Sequence, residues 1–111
     1  MREEKSCGVI PLRQGELGEL RVLIVVHKGG KHWGFPKGRQ DPEETDQETA
    51  SRELEEETGL IVSRFMKDTP YEECYTFYRG KTRVHKKVCY FPCLVQGELR
   101  LQPEEILEAC W

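Results

Sequence analysis

No apolar run in this 111-residue sequence is longer than five residues, Val22–Val26. A bilayer-spanning helix takes about 20, so no membrane helix is expected. The first residues, MREEKSCG, lack the apolar core of a secretory signal. Cysteine is scarce in the useful sense. There are five, an odd number, with no C-x-x-C pair. That argues against a disulfide framework and a zinc site. Reduced thiols packed as small apolar groups, in a cytoplasmic setting, are expected instead. No residue pattern around any of them supports a catalytic cysteine. Positive charge is also not in excess: 17 Lys and Arg stand against 20 Asp and Glu, a net charge of −3. A general nucleic-acid binder is therefore not expected. Repeats, linkers and low-complexity tracts are missing as well.

What is present is unevenly placed. Residues 41–57 hold nine acids against one arginine. Residues 79–87 hold Arg79, Lys81, Arg83, Lys86 and Lys87 with His85 and no acid. Two solvated faces would give this pattern, and so would a site that holds a metal and a polyanion together. Apolar residues, 37% of the chain, fall in blocks that can build one core, so residues 1–111 are read as a single α/β domain with a mixed sheet. Strands are expected over 6–12, 20–28 and 60–65. A hairpin is expected from 73–78 and 82–95 around Arg79-Gly80-Lys81. The 20–28 segment, nearly continuous in apolar residues, reads as a central strand buried on both faces. A glycine-rich loop precedes a helix with Thr45 as N-cap, Glu48 completing a capping box and Gly59 as the stop. Leu99–Leu101 reads as a short strand and Pro103–Leu107 as a short helical turn.

That helix is poorly built for stability alone. Only Ala50 and Leu54 give it an apolar interior, and Glu55, Glu56 and Glu57 crowd its negative C-terminal pole. With about 100° per residue, Glu57 falls about 40° to one side of Glu53 and Glu56 about 60° to the other. The three carboxylates share an arc that touches the apolar stripe, whereas Glu55 and Glu44 point away from it. Helix geometry alone leaves two readings open, a solvated acidic face or a set of hard oxygen ligands for Mg²⁺ or Mn²⁺.

Gly38, Glu44 and the run Arg52-Glu53-Leu54-Glu55-Glu56-Glu57-Thr58-Gly59-Leu60 match the Nudix box, G-x5-E-x7-R-E-U-x-E-E-x-G-U, at every fixed position. The chain resembles a Nudix hydrolase, with its box at 38–60. The resemblance implies an α/β/α sandwich and cleavage of a nucleoside diphosphate linked to another group, with Mg²⁺ or Mn²⁺. It assigns the metals to Glu53, Glu56, Glu57 and the Gly38 carbonyl, the placing of the glutamates to Arg52, and the bracing of the loop to Glu44. His32-Trp33-Gly34-Phe35-Pro36-Lys37-Gly38, Lys86-Lys87-Val88-Cys89-Tyr90-Phe91 and Pro103-Glu104-Glu105-Ile106 followed by Trp111 resemble dinucleoside tetraphosphate hydrolases. Asymmetric hydrolysis of diadenosine tetraphosphate to ATP and AMP is the implied reaction. Glu105 becomes an additional acid, and either it or Glu53 takes the proton from water. Lys37 and Lys86 are expected to clamp phosphates, with His32 and Tyr90 hydrogen-bonding them and Arg83 and Lys87 extending the positive track. Only one of Lys86 and Lys87 can face the phosphates, and the resemblance favours Lys86. Tyr75 and Tyr78 are candidates to stack on a base. The second reading is an RNA 5′-pyrophosphohydrolase or decapping enzyme, for which nucleic acid is the substrate; the third is a non-catalytic nucleotide-binding module. The family continues past the position of Trp111 into a last strand segment and a C-terminal helix. A chain without that helix is expected to expose an apolar sheet face and to be prone to self-association.

Overall fold

Two long segments rich in β-branched and small apolar residues lie side by side at the centre of the molecule and run parallel. The computed structural model describes residues 1–30 and 32–111; Lys31, in the glycine-rich loop, lies outside the described residues. In chain order the elements are β1 (Arg2–Gln14), β2 (Leu20–Val22), β3 (Ile24–His27), β4 (Trp33–Gly34), β5 (Lys37–Arg39), α1 (Asp46–Thr58), β6 (Ile61–Phe65), β7 (Tyr71–Arg79), β8 (Thr82–Gln96) and β9 (Ile106–Cys110). β1 and β8 form the parallel pair, in register from Arg2 opposite Val84 to Leu12 opposite Leu94. β2 and β5 add antiparallel to the free side of β1, and β6 and β7 to the free side of β8. A second, three-stranded sheet has the order β4-β3-β9.

Alternation along β1 and β8 decides where the helix sits. Cys7, Val9, Cys89, Phe91 and Cys93 share one face and are buried with Ala50 and Leu54 of α1. Each fully buried Leu or Val in this layer contributes roughly 1.5–3 kcal/mol. The cap residues behave as their chemistry demands. The Thr45 hydroxyl accepts from the Glu48 amide, the Glu48 carboxylate accepts from the Thr45 amide, and Gly59 sits at φ 77°, where a side chain would be strained. Gly80, at φ 64°, closes the β7–β8 turn in the same way.

The structure departs from expectation in four places. The 20–28 strand is broken at Leu23: β2 is an exposed edge strand, and β3 crosses into the second sheet, with the Leu23 amide bonding the Pro11 carbonyl at the crossing. The loop before α1 contains the short strands β4 and β5. Residues 99–101 form no strand; instead the Arg100 and Gln102 amides bond the Thr58 and Glu57 carbonyls, satisfying groups that a helix end leaves open. Residues 103–105 form a turn, but Ile106 already begins β9, antiparallel to β3. α1 is the only helix among the described residues, so the second helical layer of the expected sandwich is not among them. All five cysteines carry free thiols. Cys7, Asp46 and Cys89 bring ligand atoms within 4.8 Å of one another. The Lys5 ammonium holds Asp46 at 2.9 Å and burial pushes the Cys7 thiol up to about 12, so the group is disposed as an ion pair over packed thiols.

Candidate active site

The last two turns of α1 and the strand β5 meet over a polar cavity of about 410 Å³. Glu53, Glu56 and Glu57 enter it from the helix, Lys37, Gly38 and Arg39 from β5, Lys86 from β8, Ser6 from β1, and Gln102 and Glu105 from the turn before β9. Four carboxylates thus stand opposite three cations. A larger cleft, about 700 Å³, runs along the other side of α1 between Ser51, Arg52, Glu55, Glu56, Ile61 and Val62, and lacks this convergence.

A methyl group at the Gly38 Cα would overlap the Glu53 carboxylate, so a side chain here would push Glu53 from its place beside Arg52. Arg52 then fixes the acids. Its Nε and Nη2 donate to the two oxygens of Glu44 at 2.7 and 2.9 Å, and its Nη1 donates to Glu53 at 2.9 Å and to Glu56 at 3.2 Å. Nη2 also reaches the Arg39 carbonyl at 3.2 Å, which ties the helix to β5. These bonds hold Arg52 protonated and bring Glu44 down to about 2, the Arg52 hydrogen bond being the main cause. Glu44 also accepts from the Thr49 hydroxyl at 2.9 Å and does not line the cavity.

Glu57 is the unusual acid. It is 3% exposed, and its Oε1 has no hydrogen-bond partner. Burial pushes its carboxyl up to about 9, with the neighbouring Glu53 adding to the effect. A buried oxygen without a partner is costly, and a divalent cation is the kind of group that would satisfy it. The donor set fits such an ion: four carboxylates of hard oxygen and a backbone carbonyl at Gly38, with no sulfur.

The sequence placed Lys37, Gly38, Glu53, Glu56, Glu57, Lys86 and Glu105 together, and they line one cavity. Arg52 stands behind them. Lys87, the neighbour of Lys86, turns the other way and pairs with Glu72 at 2.8 Å. Lys86 is half-buried, and burial, followed by the nearby Lys37 charge, brings its ammonium down to about 8. Four candidates lie elsewhere. His32 is exposed and does not line the cavity. Tyr90 is half-buried, with its ring edge-on to Phe35 at 5.4 Å. Tyr75 faces Lys86 across the β7–β8 ladder, while Tyr78 faces Arg83. The two-residue strand period therefore puts Tyr75 and Tyr78 on opposite faces, so they cannot stack on the same base. Ser6, Arg39 and His27 were not anticipated. His27 has Nε2 3.1 Å from the Phe35 carbonyl, which can only accept, so Nε2 carries the proton. Its Nδ1 is then a bare acceptor 3.9 Å from Glu57 Oε1. None of the three stands at a position that local spacing marks.

The chain belongs to the Nudix family: the NUDIX domain profile matches residues 3–111. Among curated proteins it is 37% identical over 68 residues to the asymmetrical bis(5′-nucleosyl)-tetraphosphatase of Rattus norvegicus, covering 56% of this chain and 46% of that protein. It is 37% identical over 65 residues to mRNA-decapping enzyme subunit 2 of Arabidopsis thaliana, covering 59% of this chain and 17% of that one. The chain thus spans less than half the length of these two relatives. Among solved structures, a MutT NUDIX hydrolase from Burkholderia pseudomallei superposes with a TM-score of 0.76 at 23% identity, covering 100% of this chain and 83% of that one. A C. elegans Ap4A hydrolase binary complex gives 0.68 at 22% identity, covering 97% and 78%. The fold is the Nudix fold, with a mixed sheet and, among the described residues, a single helix.

Proposed function

We propose that this chain hydrolyses nucleoside polyphosphates with Mg²⁺ or Mn²⁺, and that its substrate is a dinucleoside tetraphosphate cleaved asymmetrically. One observation carries the reading: four carboxylates face Lys37, Arg39 and Lys86 across a single polar cavity, and one of the four, Glu57, has a buried oxygen without a partner. That is the charge pattern of a site for a cation and a phosphate chain held together. Glu53, Glu56, Glu57 and the Gly38 carbonyl would hold the ion, which when bound neutralises charge developing on the phosphoryl oxygens.

The chain's own groups do the rest. Arg52 keeps Glu53 and Glu56 aimed at the cavity, so little reorganisation is needed when substrate arrives. Lys37 and Lys86 fix the phosphates from the opposite wall as point charges. The proton of the attacking water passes to Glu53 or Glu105. Glu53 already accepts from Arg52, whereas Glu105 sits on the exposed rim, where the Lys28 amide holds its backbone carbonyl.

The likeness to the asymmetrical tetraphosphatases supports the dinucleotide as substrate. The likeness to decapping subunits supports a second reading, RNA 5′-end hydrolysis. The test is chromatography of products from diadenosine tetraphosphate, capped RNA and 5′-triphosphate RNA with Mg²⁺. ATP plus AMP is the expected result. ADP alone refutes asymmetric cleavage, and product from RNA alone favours the second reading. No product from any of them reduces the site to a binding module. Glu105→Gln separates the two candidate bases, since it abolishes turnover only if Glu105 takes the proton.

A further inference from the structure

The even-numbered side chains of β1 and β8 form the sheet face opposite α1, and Glu4 lies on it amid cations. Its carboxylate accepts from Arg79 at 2.6 Å and from Arg39 at 3.0 Å, and Arg2 Nε lies 3.5 Å away. The Glu4 side chain is only 5% exposed. Its register partner on β8 is Lys86, which in turn faces Tyr75 on β7. Two places along β1 on the same face is Ser6, buried, with a hydroxyl that has no partner. Ser6, Arg39 and Lys86 all line the cavity of the candidate active site.

A plain structural role for Glu4 would be to staple β1, β5 and β7 through its two arginines. That role does not require the cations to lead into the cavity, nor a buried open hydroxyl beside them. Arg2, Arg39 and Arg79 converge on the one carboxylate of Glu4, and Lys86 is its register partner. Two guanidinium groups converging on one carboxylate present donors as they would to a phosphate.

We propose that Ser6, Arg39, Arg79 and Lys86 form a second anion subsite, which takes phosphates distal to the cleaved bond, and that Glu4 occupies it in the free protein as a stand-in anion. The proposal rests on the hydrolase reading for its substrate: a chain of three or more linked phosphates, from a dinucleoside polyphosphate or an RNA 5′-triphosphate end. Arg79 and Glu4 then set the preference for chain length, and Glu4 is a positioning residue that yields its arginines to a longer substrate.

Two measurements test it. In the first, inorganic tripolyphosphate is titrated calorimetrically into the protein without divalent ions. Arg79→Gln is expected to weaken binding about tenfold, and Glu4→Gln to tighten it several-fold by removing the competing charge. Arg79→Lys, which keeps the charge, controls for folding and should fall between. Unchanged affinity in Arg79→Gln overturns the subsite, and weaker binding in Glu4→Gln overturns the stand-in role. In the second, KM is compared for a dinucleoside tetraphosphate, a 5′-triphosphate oligoribonucleotide and a dinucleoside diphosphate. Arg79→Gln should raise KM at least fivefold more for whichever long-chain substrate is turned over than for the diphosphate, with kcat changing less than KM. A rise independent of chain length overturns the proposal. A protein that binds tripolyphosphate in the expected pattern but cleaves nothing overturns the hydrolase reading and leaves the subsite standing. One that cleaves normally with no dependence on Arg79 does the reverse.

Discussion

Replacing Glu57 by glutamine is expected to make the protein more stable at neutral pH while stopping turnover. The carboxyl is 3% exposed and one of its oxygens has no partner. Burial and the adjacent Glu53 push it from 4.5 up to about 9. Between those values the folded chain keeps a proton that the unfolded chain has given up, so this residue lowers folding stability as pH rises through that window. At pH 7, about 2.5 pH units above the unfolded value, the cost is on the order of 3 kcal/mol at 1.36 kcal/mol per unit. Glutamine has nearly the same shape and no charge to bury. Its gain is therefore up to about 3 kcal/mol at pH 7, or roughly 10 °C in Tm for a domain of this size. The amide donors have acceptors close by, at His27 Nδ1 and the Glu53 carboxylate. Urea titrations in EDTA at pH 5, 6, 7 and 8 measure the effect. The midpoints of wild type and Glu57→Gln should separate progressively as pH rises. Mg²⁺ should raise the wild-type midpoint and leave the variant's nearly unmoved. Parallel curves across this range, or a variant weaker at every pH, would refute the reasoning.

Gly38→Ala places a methyl group into the Glu53 carboxylate. It should cost about 1–3 kcal/mol in urea denaturation and lower kcat on the order of 100-fold; an active, equally stable variant would show that β5 can move aside. The Lys86 ammonium, brought down to about 8 by burial and then Lys37, carries its charge below that pH and loses it above. Polyphosphate affinity should accordingly fall as pH rises from 8 to 10, with proton uptake visible as buffer-dependent binding enthalpy, and Lys86→Arg should flatten the profile. Leu54→Ala opens a cavity beneath α1, where Leu54 is fully buried. The loss should be about 2–5 kcal/mol; a loss below about 1 kcal/mol would mean that the helix is not anchored there.

What the sequence made legible is what depends on neighbours along the chain. Thr45, Glu48 and Gly59 delimit α1 because capping is local chemistry, and Gly80 marks the hairpin for the same reason. The arc of Glu53, Glu56 and Glu57 follows from helical pitch, and the opposite facing of Lys86 and Lys87 from strand pleating. The break at Leu23 was not legible, because Val22 and Ile24 are equally apolar and only the pairing partners, β1 for one and β9 for the other, tell them apart. β9 itself carries an apolar pattern too short to separate from a turn. Glu4, Ser6, Arg39 and His27 acquire their roles from residues far off in the chain: Glu4 meets Arg79, and His27 meets Glu57. Tyr78 lies three residues from Tyr75 and so on the other side of the strand, a difference that strand pleating makes once the register is known. His32 matches a motif position, yet it is exposed and does not line the cavity.

The parallel contact between β1 and β8 joins each residue to one 82 positions further on, as Arg2 to Val84. During synthesis β1 emerges first and can add β2 and β5 early, while its other edge stays open until β8 has left the ribosome. β8, translated 82 positions after the residues it pairs with, therefore completes the sheet that β1 begins. Such non-local closure is slow, on a scale of milliseconds to seconds, and leaves a sticky edge exposed meanwhile. Folding yield in the cell should therefore respond more to the speed at which residues 82–96 are translated than to changes in the helix that holds the acids.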